Sequence, residues 1–279
     1  IAVAGTHGKT TTTAMLTDIF ETQEKDPTAV IGSLRASTGS NYRAGKSKYA
    51  IVEACEYKGD FLSLKPEILV ITNLELEHVD YYKTLEDVQA AFKKLISQVS
   101  ETGVIVTNPK DPNIAPILER VEQKIVDYTE YFDVLLPLKQ PGMHNRLNAA
   151  AAMAAAAEEG IKPDVSRDIM LDFRGTWRRF EYKGEVNGAA LYDDYAHHPT
   201  EIAVTIAAAK ELYPDRRLIT VFKPHTYTRT VQFFDEFAKS FAGVHEALFL
   251  PIYAAREENV TGVSSRELAV KTLEYVPHT

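Results

Sequence analysis

Residues 1–16, IAVAGTHGKTTTTAML, decide how this chain folds. Ile1–Ala4 is apolar and predicts a short strand, and the spacing of apolar residues in Thr10–Glu21 predicts a helix. Between these two elements lies the loop Gly5-Thr6-His7-Gly8-Lys9-Thr10. A glycine-containing loop that follows a strand and opens a helix is typical of a phosphate-binding site.

The chemistry of this loop suits an anion that carries several phosphates. Glycines let the backbone approach the ligand, successive N–H groups face it, and the helix N-terminus adds positive potential. Lys9 can reach the β- and γ-phosphates, and the Thr10 hydroxyl can bind Mg²⁺. The loop is a shorter variant, because Val3 stands where the standard spacing places a glycine. A plain glycine-rich turn is the alternative, and the flanking strand and helix favour the phosphate loop.

The rest of the chain alternates between strand and helix patterns. Further strands are predicted at Tyr49–Glu53, Ile68–Thr72, Gly103–Thr107, Gly188–Tyr192, Arg217–Phe222 and Ala247–Pro251. Helices are predicted at Leu85–Val99, Asn145–Gly160, Thr200–Leu212, Thr230–Phe241 and Ser264–Leu273, and residues 33–48 read as a loop or hairpin. Gly160 is the expected end of the alanine-rich helix. Ser264 and Glu267 have the spacing of a capping box. This alternation predicts an α/β fold with a mostly parallel sheet covered on both faces.

Composition limits the class of protein. A chain of 279 residues fits about two domains, which we place at 1–171 and 172–279. Thirty-one basic and 39 acidic residues give a net charge of −8, which argues against a nucleic-acid or anionic-membrane partner. The single cysteine requires no oxidising compartment, and no apolar run reaches the ~20 residues that span a bilayer. We expect a cytoplasmic location. We also expect the natural N-terminus to lie upstream, because Ile1 opens on an edge strand that would fray.

Six segments carry a family resemblance, and they follow one another along the chain. They are AVAGTHGKTTTTAML (2–16), VEACEYKGDFLSLKPEILVITNLELEHVDYY (52–82), PGMHNRLNAAAA (141–152), RRFE (178–181), DDYAHHPTEI (193–202) and FKPHTYTRT (222–230). Together they resemble the Mur ligases, the amide-bond-forming enzymes of peptidoglycan precursor synthesis. The resemblance runs over nearly the whole chain, and its specificity comes from the number and order of the motifs.

The resemblance implies an ATP-dependent acid–amino-acid ligase that works through an acyl phosphate. It implies ATP and Mg²⁺ as cofactors and UDP-N-acetylmuramate and L-alanine as substrates. It also implies a central P-loop ATPase-like domain followed by a Rossmann-like C-terminal domain, with the family's UDP-binding first domain absent from this chain. Three alternatives stay open: a sister ligase such as a murein tripeptide ligase or folylpolyglutamate synthetase, a P-loop NTPase or kinase that forms no amide, and a non-catalytic nucleotide-binding remnant.

Family motifs also imply the residues of the nucleotide and metal sites. The implied ATP-binding residues are Gly5, Thr6, His7, Gly8, Lys9, Thr10, Thr11, Asn145, Asn148, Arg179 and Asp194. The implied metal ligands are Thr10, Glu53 and His78, and the implied catalytic residues are Lys9, His78 and Arg179. From the residues alone, Glu53 ends a strand, where carboxylates of α/β sheets meet phosphates, and Glu56 is a weaker candidate. A lone histidine such as His78 is more often a surface residue, Asn145 can instead cap its helix, and Arg178 competes with Arg179.

The implied substrate residues are Tyr195, His197, His198, His225 and Arg229. His225 and Arg229 are four residues apart and share a face if their segment is helical. The resemblance suggests that they bind the amino-acid carboxylate, whereas the residues alone favour an ordinary surface pair. Cys55 stands where relatives usually carry Asp, and we expect it to be a small buried side chain.

Overall fold

The computed structural model describes residues 1–276, which form two compact units. The first unit comprises residues 1–77 and 81–193, and the second comprises residues 78–80 and the chain from Asp194 onward. The domain boundary at 171/172 stays a prediction.

Strands and helices alternate along the chain. The described strands are β1 (Ala2–Ala4), β2 (Thr28–Val30), β3 (Tyr42–Arg43), β4 (Ala50–Glu53), β5 (Ile68–Ile71), β6 (Val104–Thr107), β7 (Lys124–Asp127), β8 (Glu181–Val186), β9 (Ala189–Asp193), β10 (Ile219–Phe222) and β11 (Glu246–Phe249). The described α-helices are α1 (Lys9–Thr22), α2 (Leu85–Ile96), α3 (Met143–Ala157), α4 (Pro163–Leu171), α5 (Pro199–Leu212), α6 (Tyr227–Gln232), α7 (Phe234–Ser240) and α8 (Ser265–Thr272). Short 3₁₀ helices lie at Tyr57–Ser63, Ala115–Ile117 and Tyr128–Tyr131.

The first unit is built on a seven-stranded sheet in the order β3-β2-β4-β1-β5-β6-β7. All neighbouring strands are parallel except β2 and β3, which are antiparallel. The expectation that the first strand lies at an edge is wrong, because β1 is hydrogen-bonded to β4 on one side and to β5 on the other. The loop that leaves β1 therefore starts at the middle of the sheet, at the carboxyl ends of its strands.

Side chains of the central strands alternate between two cores, as the period of two in a strand requires. In β5, Ile68 and Val70 face the core that contains α1, α3 and α4, whereas Leu69 and Ile71 face the core that contains α2. Strand β1 behaves in the same way, with Val3 on the first face and its two alanines on the other. The sheet is thus covered on both faces, which explains why its strands are continuous apolar runs.

The alanine-rich helix α3 packs against α1 within the first core. Residues 149–156 of α3 are almost completely buried beside Met15, Leu16 and Ile19 of α1. Alanine is the best helix former, and its small side chain lets the two helices lie close together. Helix α3 ends at Ala157 rather than at Gly160, and Gly160 follows in a left-handed conformation with φ +79°.

The second unit contains the parallel pair β10–β11 with α5, α7 and α8 around a core of aromatic and branched residues. The predicted capping box is confirmed: Glu267 N donates to Ser264 Oγ at 3.2 Å, and Ser264 N donates to the Glu267 carboxylate at 2.9 Å. The predicted helix over Thr230–Phe241 is instead two helices, because Phe233 between α6 and α7 has φ −116° and ψ 32°.

The predicted α/β fold class is confirmed. Sequence analysis missed β2, β7, β8 and α4, and it predicted only a loop or hairpin where β3 pairs with β2. No helix among the residues described is long and apolar enough to cross a membrane.

Candidate functional site

The phosphate loop is held in place by the residues that follow β5. Asn73 accepts two backbone N–H groups of the loop, Thr6 N on its carbonyl at 3.0 Å and His7 N on its side-chain oxygen at 2.9 Å. In return, Thr72 Oγ1 and Asn73 Nδ2 donate to the His7 carbonyl at 2.6 Å and 3.0 Å. Sequence analysis did not identify Thr72 or Asn73. These bonds fix the course of the loop without a ligand, which reduces the ordering needed on binding.

Both glycines of the loop are required by geometry. Gly5 has φ +130°, and a Cβ there would lie 2.1 Å from Thr72 Oγ1. Gly8 has φ +82°, and a Cβ there would lie 2.2 Å from Asn148 Oδ1. Only glycine adopts such backbone angles without strain and leaves room for these neighbours. The structure thus brings Asn148 against the phosphate loop, and its contact with the nucleotide stays a prediction.

Lys9, the first residue of α1, turns its ammonium group back over the loop. Its Nζ donates to the Gly5 carbonyl at 2.6 Å and to the Thr6 carbonyl at 3.0 Å, and it lies 2.9 Å from a carboxylate oxygen of Glu56. Burial alone would lower the pKa of Lys9, but the Glu56 carboxylate, with smaller contributions from Cys55 and Glu53, leaves the pKa raised. The lysine therefore stays charged, and Glu56, the weaker candidate from sequence, is its partner.

Thr10 and Glu53 meet beside the loop. Thr10 Oγ1 donates to Glu53 Oε1 at 2.8 Å, and the backbone N–H of Gly32 donates to the other oxygen of the same carboxylate. A hydroxyl and a carboxylate are the hard oxygen ligands that Mg²⁺ prefers. These two side chains therefore fit a magnesium site, and the proximity of Gly32 was not evident from sequence.

The other predicted residues of the loop are partly or fully buried. Thr6 and Thr11 are buried, and Thr6 Oγ1 also accepts the Glu75 N–H at 2.8 Å. The ring of His7 is half-buried, with Nε2 3.4 Å from a Glu75 carboxylate oxygen. These contacts pack the loop against residues 72–75, and the direct contacts of these residues with ATP stay predictions.

Asn145 and Asn148 are both buried on α3. The capping alternative for Asn145 is wrong, because the residue before α3 is Gly142 and Asn145 Nδ2 donates to the Pro141 carbonyl at 2.9 Å. That bond tethers the start of the helix, whereas Asn148, one turn later, reaches Gly8.

Arg178 and Arg179 differ in their surroundings. Arg178 Nε donates to the Asp193 carboxylate at 3.0 Å, and its backbone N–H donates to Glu181 at 3.0 Å. The Arg179 N–H donates to the Thr176 carbonyl at 3.2 Å. Arg178 is therefore engaged in holding the start of the β8–β9 hairpin, and Arg179 stays the predicted phosphate-binding residue.

In the second unit, His197 and His198 lie just before α5. His198 is buried, and its Nδ1 accepts the Thr200 N–H at 3.3 Å, so it caps the helix. His197 Nδ1 lies 2.9 Å from the Tyr195 carbonyl and 3.2 Å from a Glu201 oxygen. Asp194 Oδ1 accepts the Ala196 N–H at 2.7 Å. His198 thus has a structural role as a helix cap. The ligand contacts predicted for all these residues stay predictions.

His225 and Arg229 form a compact basic pair in the same unit. Arg229 Nη1 lies 3.1 Å from both His225 Nδ1 and the His225 carbonyl oxygen. Arg229 is only 8% exposed, so the expectation of an ordinary surface pair is wrong. The His197 and His225 rings lie 6.3 Å apart, and the Tyr195 and His197 rings lie 5.2 Å apart. The structure therefore brings four of the five predicted substrate residues into one cluster.

His78 and Cys55 are the two remaining residues named from the sequence. His78 belongs to the second unit and has a positive φ of 52°; its part as a metal ligand stays a prediction. The expectation that Cys55 is buried is wrong, since its side chain is exposed. Ala54 and Glu56 on either side take the buried positions after β4, so Cys55 faces outward.

Two family models match the chain in order. The Mur ligase middle domain matches residues 3–133, and the Mur ligase glutamate ligase domain matches residues 178–277. These matches include the phosphate loop and the His225–Arg229 pair. They confirm the family resemblance, and residues 141–152 lie between the two matched ranges.

Named relatives agree with these models. The chain is 40% identical over 294 residues to a UDP-N-acetylmuramate–L-alanine ligase of Lawsonia intracellularis, covering 96% of this chain and 65% of the relative. It is 41% identical over 295 residues to the enzyme of that name from Clostridium acetobutylicum, covering 96% and 64%.

A solved structure, the UDP-N-acetylmuramate–alanine ligase of Thermotoga maritima, matches with a TM-score of 0.76 at 25% identity, covering 98% of this chain and 64% of that one. The chain thus spans slightly less than two thirds of the length of these relatives. Both family models, in the same order as the motifs, and relatives at 40% identity show that this chain belongs to the Mur ligase family.

Proposed function

We propose that this chain carries the ATP-binding and amino-acid-binding parts of an ATP-dependent ligase that joins L-alanine to UDP-N-acetylmuramate in peptidoglycan precursor synthesis. The observation that carries the proposal is the preformed phosphate loop, with the charged Lys9 beside Glu56 and Thr10 beside Glu53. The names of the relatives support the substrates. We assign ATP binding to residues 1–171, a ligase domain to 172–279 and a cytoplasmic location to the protein.

The reaction needs a carboxylate made reactive towards an amine. Transfer of the γ-phosphoryl group of ATP to a carboxylate oxygen gives an acyl phosphate and ADP. The amine of the amino acid then attacks the acyl carbon, the C–O bond to phosphate breaks, and a base takes the proton lost by nitrogen. The protein mainly positions the reactants and neutralises charge. In this proposal Lys9 and Arg179 neutralise phosphate oxygens.

Thr10 and Glu53 would hold the magnesium ion, because their oxygens already lie 2.8 Å apart at the end of β4. When bound, Mg²⁺ neutralises phosphate charge. Before that, the Glu53 carboxylate is oriented by Gly32 N–H and Thr10 Oγ1. An oriented carboxylate needs little rearrangement to accept an ion.

The amino-acid carboxylate would bind at the His225–Arg229 pair. A buried guanidinium is permanently charged and matches the planar fork of a carboxylate. Its Nη1 is fixed by two contacts to His225 at 3.1 Å, which orients the guanidinium plane. His197 and His225 are the histidines of this cluster that could accept the proton from the amine.

Phosphate release from Mg-ATP by the natural protein tests the proposal. The assay combines UDP-N-acetylmuramate with a panel of single amino acids, and we expect release only when both the sugar nucleotide and L-alanine are present. Release with UDP-N-acetylmuramate and a peptide but not L-alanine would indicate a sister ligase. Release without any amino acid would indicate an NTPase or kinase, and ATP binding with no release would indicate a remnant.

The variant Lys9→Ala tests the phosphate-loop assignment, since it removes the ammonium group that would face the phosphates. We expect turnover to fall by at least about a hundredfold, as for loss of one preorganised charge donor, with unchanged circular dichroism. Lys110→Ala is the control, because the Lys110 side chain is 83% exposed. Equal turnover in both variants would refute the phosphate-loop assignment.

A further inference from the structure

A buried arginine outside the phosphate loop joins three parts of the first unit. Arg35 is only 4% exposed, and its Nη1 donates to Asp18 Oδ1 at 2.6 Å and to a carboxylate oxygen of Glu21. Both acids lie on α1, the helix that starts at Lys9. Burial of the Arg35 charge is unfavourable unless the charge is paired, and the two acids, which are only partly exposed, provide that pairing.

Residues 32–36, which we call the strap, connect this arginine to the candidate site. Arg35 forms an antiparallel bridge with Thr176, Ala36 N donates to the Gly175 carbonyl at 3.0 Å, and Trp177 N donates to the Leu34 carbonyl at 2.8 Å. The strap thus pairs with residues 175–177, and it does so outside the seven-stranded sheet.

Each end of this arrangement reaches a residue of the proposed ATP site. At one end, the Gly32 N–H donates to the Glu53 carboxylate. At the other end, the chain passes from Thr176 to Arg179, whose N–H donates to the Thr176 carbonyl at 3.2 Å. A shift of the strap would therefore move both the carboxylate that we assign to magnesium and the backbone that carries Arg179.

We propose that Arg35 is a positioning residue, which fixes the strap to α1 and so sets the positions of Glu53 and Arg179 for phosphoryl transfer. Its activity readout rests on the proposed function, whereas the strap itself can be tested without any turnover. Arg35 does not touch the phosphate loop and acts only through the strap.

Arg43 provides a matched control. It lies on β3 and its Nε donates to the same Glu21 carboxylate, while its Nη2 lies 2.8 Å from Asp26. It therefore shares the acid of the cluster and comes from the same 33–48 segment. Its own backbone is paired with β2 and not with residues 175–177.

The test separates positioning from mere stability. Arg35→Met alone would leave Asp18 without its arginine and Glu21 with Arg43 only, so the main variant is Arg35→Met combined with Asp18→Asn and Glu21→Gln. We expect this triple variant to unfold at a denaturant concentration close to that of the parent chain. We expect the Ala36 and Trp177 amides to exchange with deuterium about tenfold faster or more, because the strap has lost its charged hydrogen bonds.

For turnover in the natural protein, we expect kcat of the triple variant to fall on the order of 10- to 100-fold, as misplacement by about 1 Å does. We expect Arg43→Met to keep both amide protection and kcat. Unchanged exchange at Ala36 and Trp177 in the triple variant overturns the proposal whatever the enzyme does. Faster exchange with unchanged kcat shows that the strap moves without affecting the site, which also overturns it. If the parent protein has no ligase activity, the proposed function fails, while the exchange result still shows whether Arg35 fixes the strap.

Discussion

Replacing Gly8 by Ala tests whether the phosphate loop depends on its contact with α3. Gly8 has φ +82°, and an added Cβ would lie 2.2 Å from Asn148 Oδ1, where ordinary contact begins at 3.4 Å. The Asn148 amide must then retreat by about 1.2 Å (3.4 − 2.2). The left-handed backbone costs roughly 1–2 kcal/mol for a non-glycine residue, and overpacking costs roughly 1–3 kcal/mol more. We expect a total loss of about 2–5 kcal/mol in the free energy of unfolding.

Gly160→Ala is the matched control. Gly160 has φ +79°, almost the same backbone conformation, but its added Cβ would meet nothing within 4 Å. Only the backbone strain of roughly 1–2 kcal/mol applies there. The difference between the two variants therefore isolates the contact with Asn148 from the strain common to both.

Urea unfolding and calorimetric titration with ADP are the assays. We expect Gly8→Ala to bind ADP at least about tenfold more weakly than the parent, since the loop amides must move to accept the new side chain. Gly160→Ala should bind ADP as the parent does. Adding Asn148→Ala to Gly8→Ala should return part of the lost stability, because it removes the overlapping atoms. Equal stability losses in the two glycine variants would refute the reasoning, as would ADP binding by Gly8→Ala that matches the parent.

Two further predictions concern charged groups. Burial raises the pKa of Asp18 from 3.8 to about 6, despite the nearby Arg35. The folded chain therefore binds this proton more tightly than the unfolded chain does. The stabilisation that this group contributes is lost as the pH rises from about 4 to about 6. The free energy of unfolding of Asp18→Asn, relative to that of the parent, should therefore rise by up to about 3 kcal/mol over that range (2.2 pKa units at 1.36 kcal/mol each). Denaturant titrations measure this difference, and a difference that does not change with pH would contradict the prediction. Arg229→Ala should raise KM for L-alanine about 10- to 100-fold, which corresponds to the loss of one hydrogen bond to a charged group, and should leave the Kd of ADP unchanged. Equal weakening of both ligands would argue against a carboxylate-binding role for Arg229.

The central strands could be predicted from sequence because each is buried on both faces. Ile68–Ile71 and Val104–Thr107 are apolar runs bounded by polar residues, and such runs are hard to place anywhere but in a covered parallel sheet. Strands at the margins lack this signal. Glu181–Val186 alternates charged residues with Tyr182, Gly184 and Val186 and is largely exposed, so its hydrogen bonding to Ala189–Asp193 depends on the turn between them and not on apolar burial.

The phosphate loop was predictable, whereas the groups that hold it were not. Local order alone, a strand followed by glycines and a helix, identifies Gly5–Thr10. Thr72 and Asn73 become its partners only because β5 lies directly beside β1. Strand order is set by the whole sheet, so the pattern of residues in a single strand does not reveal which strands lie beside it. The same reason hides the bond from Gly32 to Glu53, which requires β2 to lie beside β4.

Arg229 shows how an average preference misleads at a site. Arginine is seldom buried, and this preference alone favoured a surface position. The spacing of four from His225 carried the better signal, because it places the guanidinium over the turn of chain that precedes α6. There the His225 carbonyl and ring nitrogen both lie 3.1 Å from Nη1. A guanidinium taken out of water must keep its hydrogen bonds, so an arginine whose preceding turn supplies acceptors four residues earlier can be buried where an isolated one cannot.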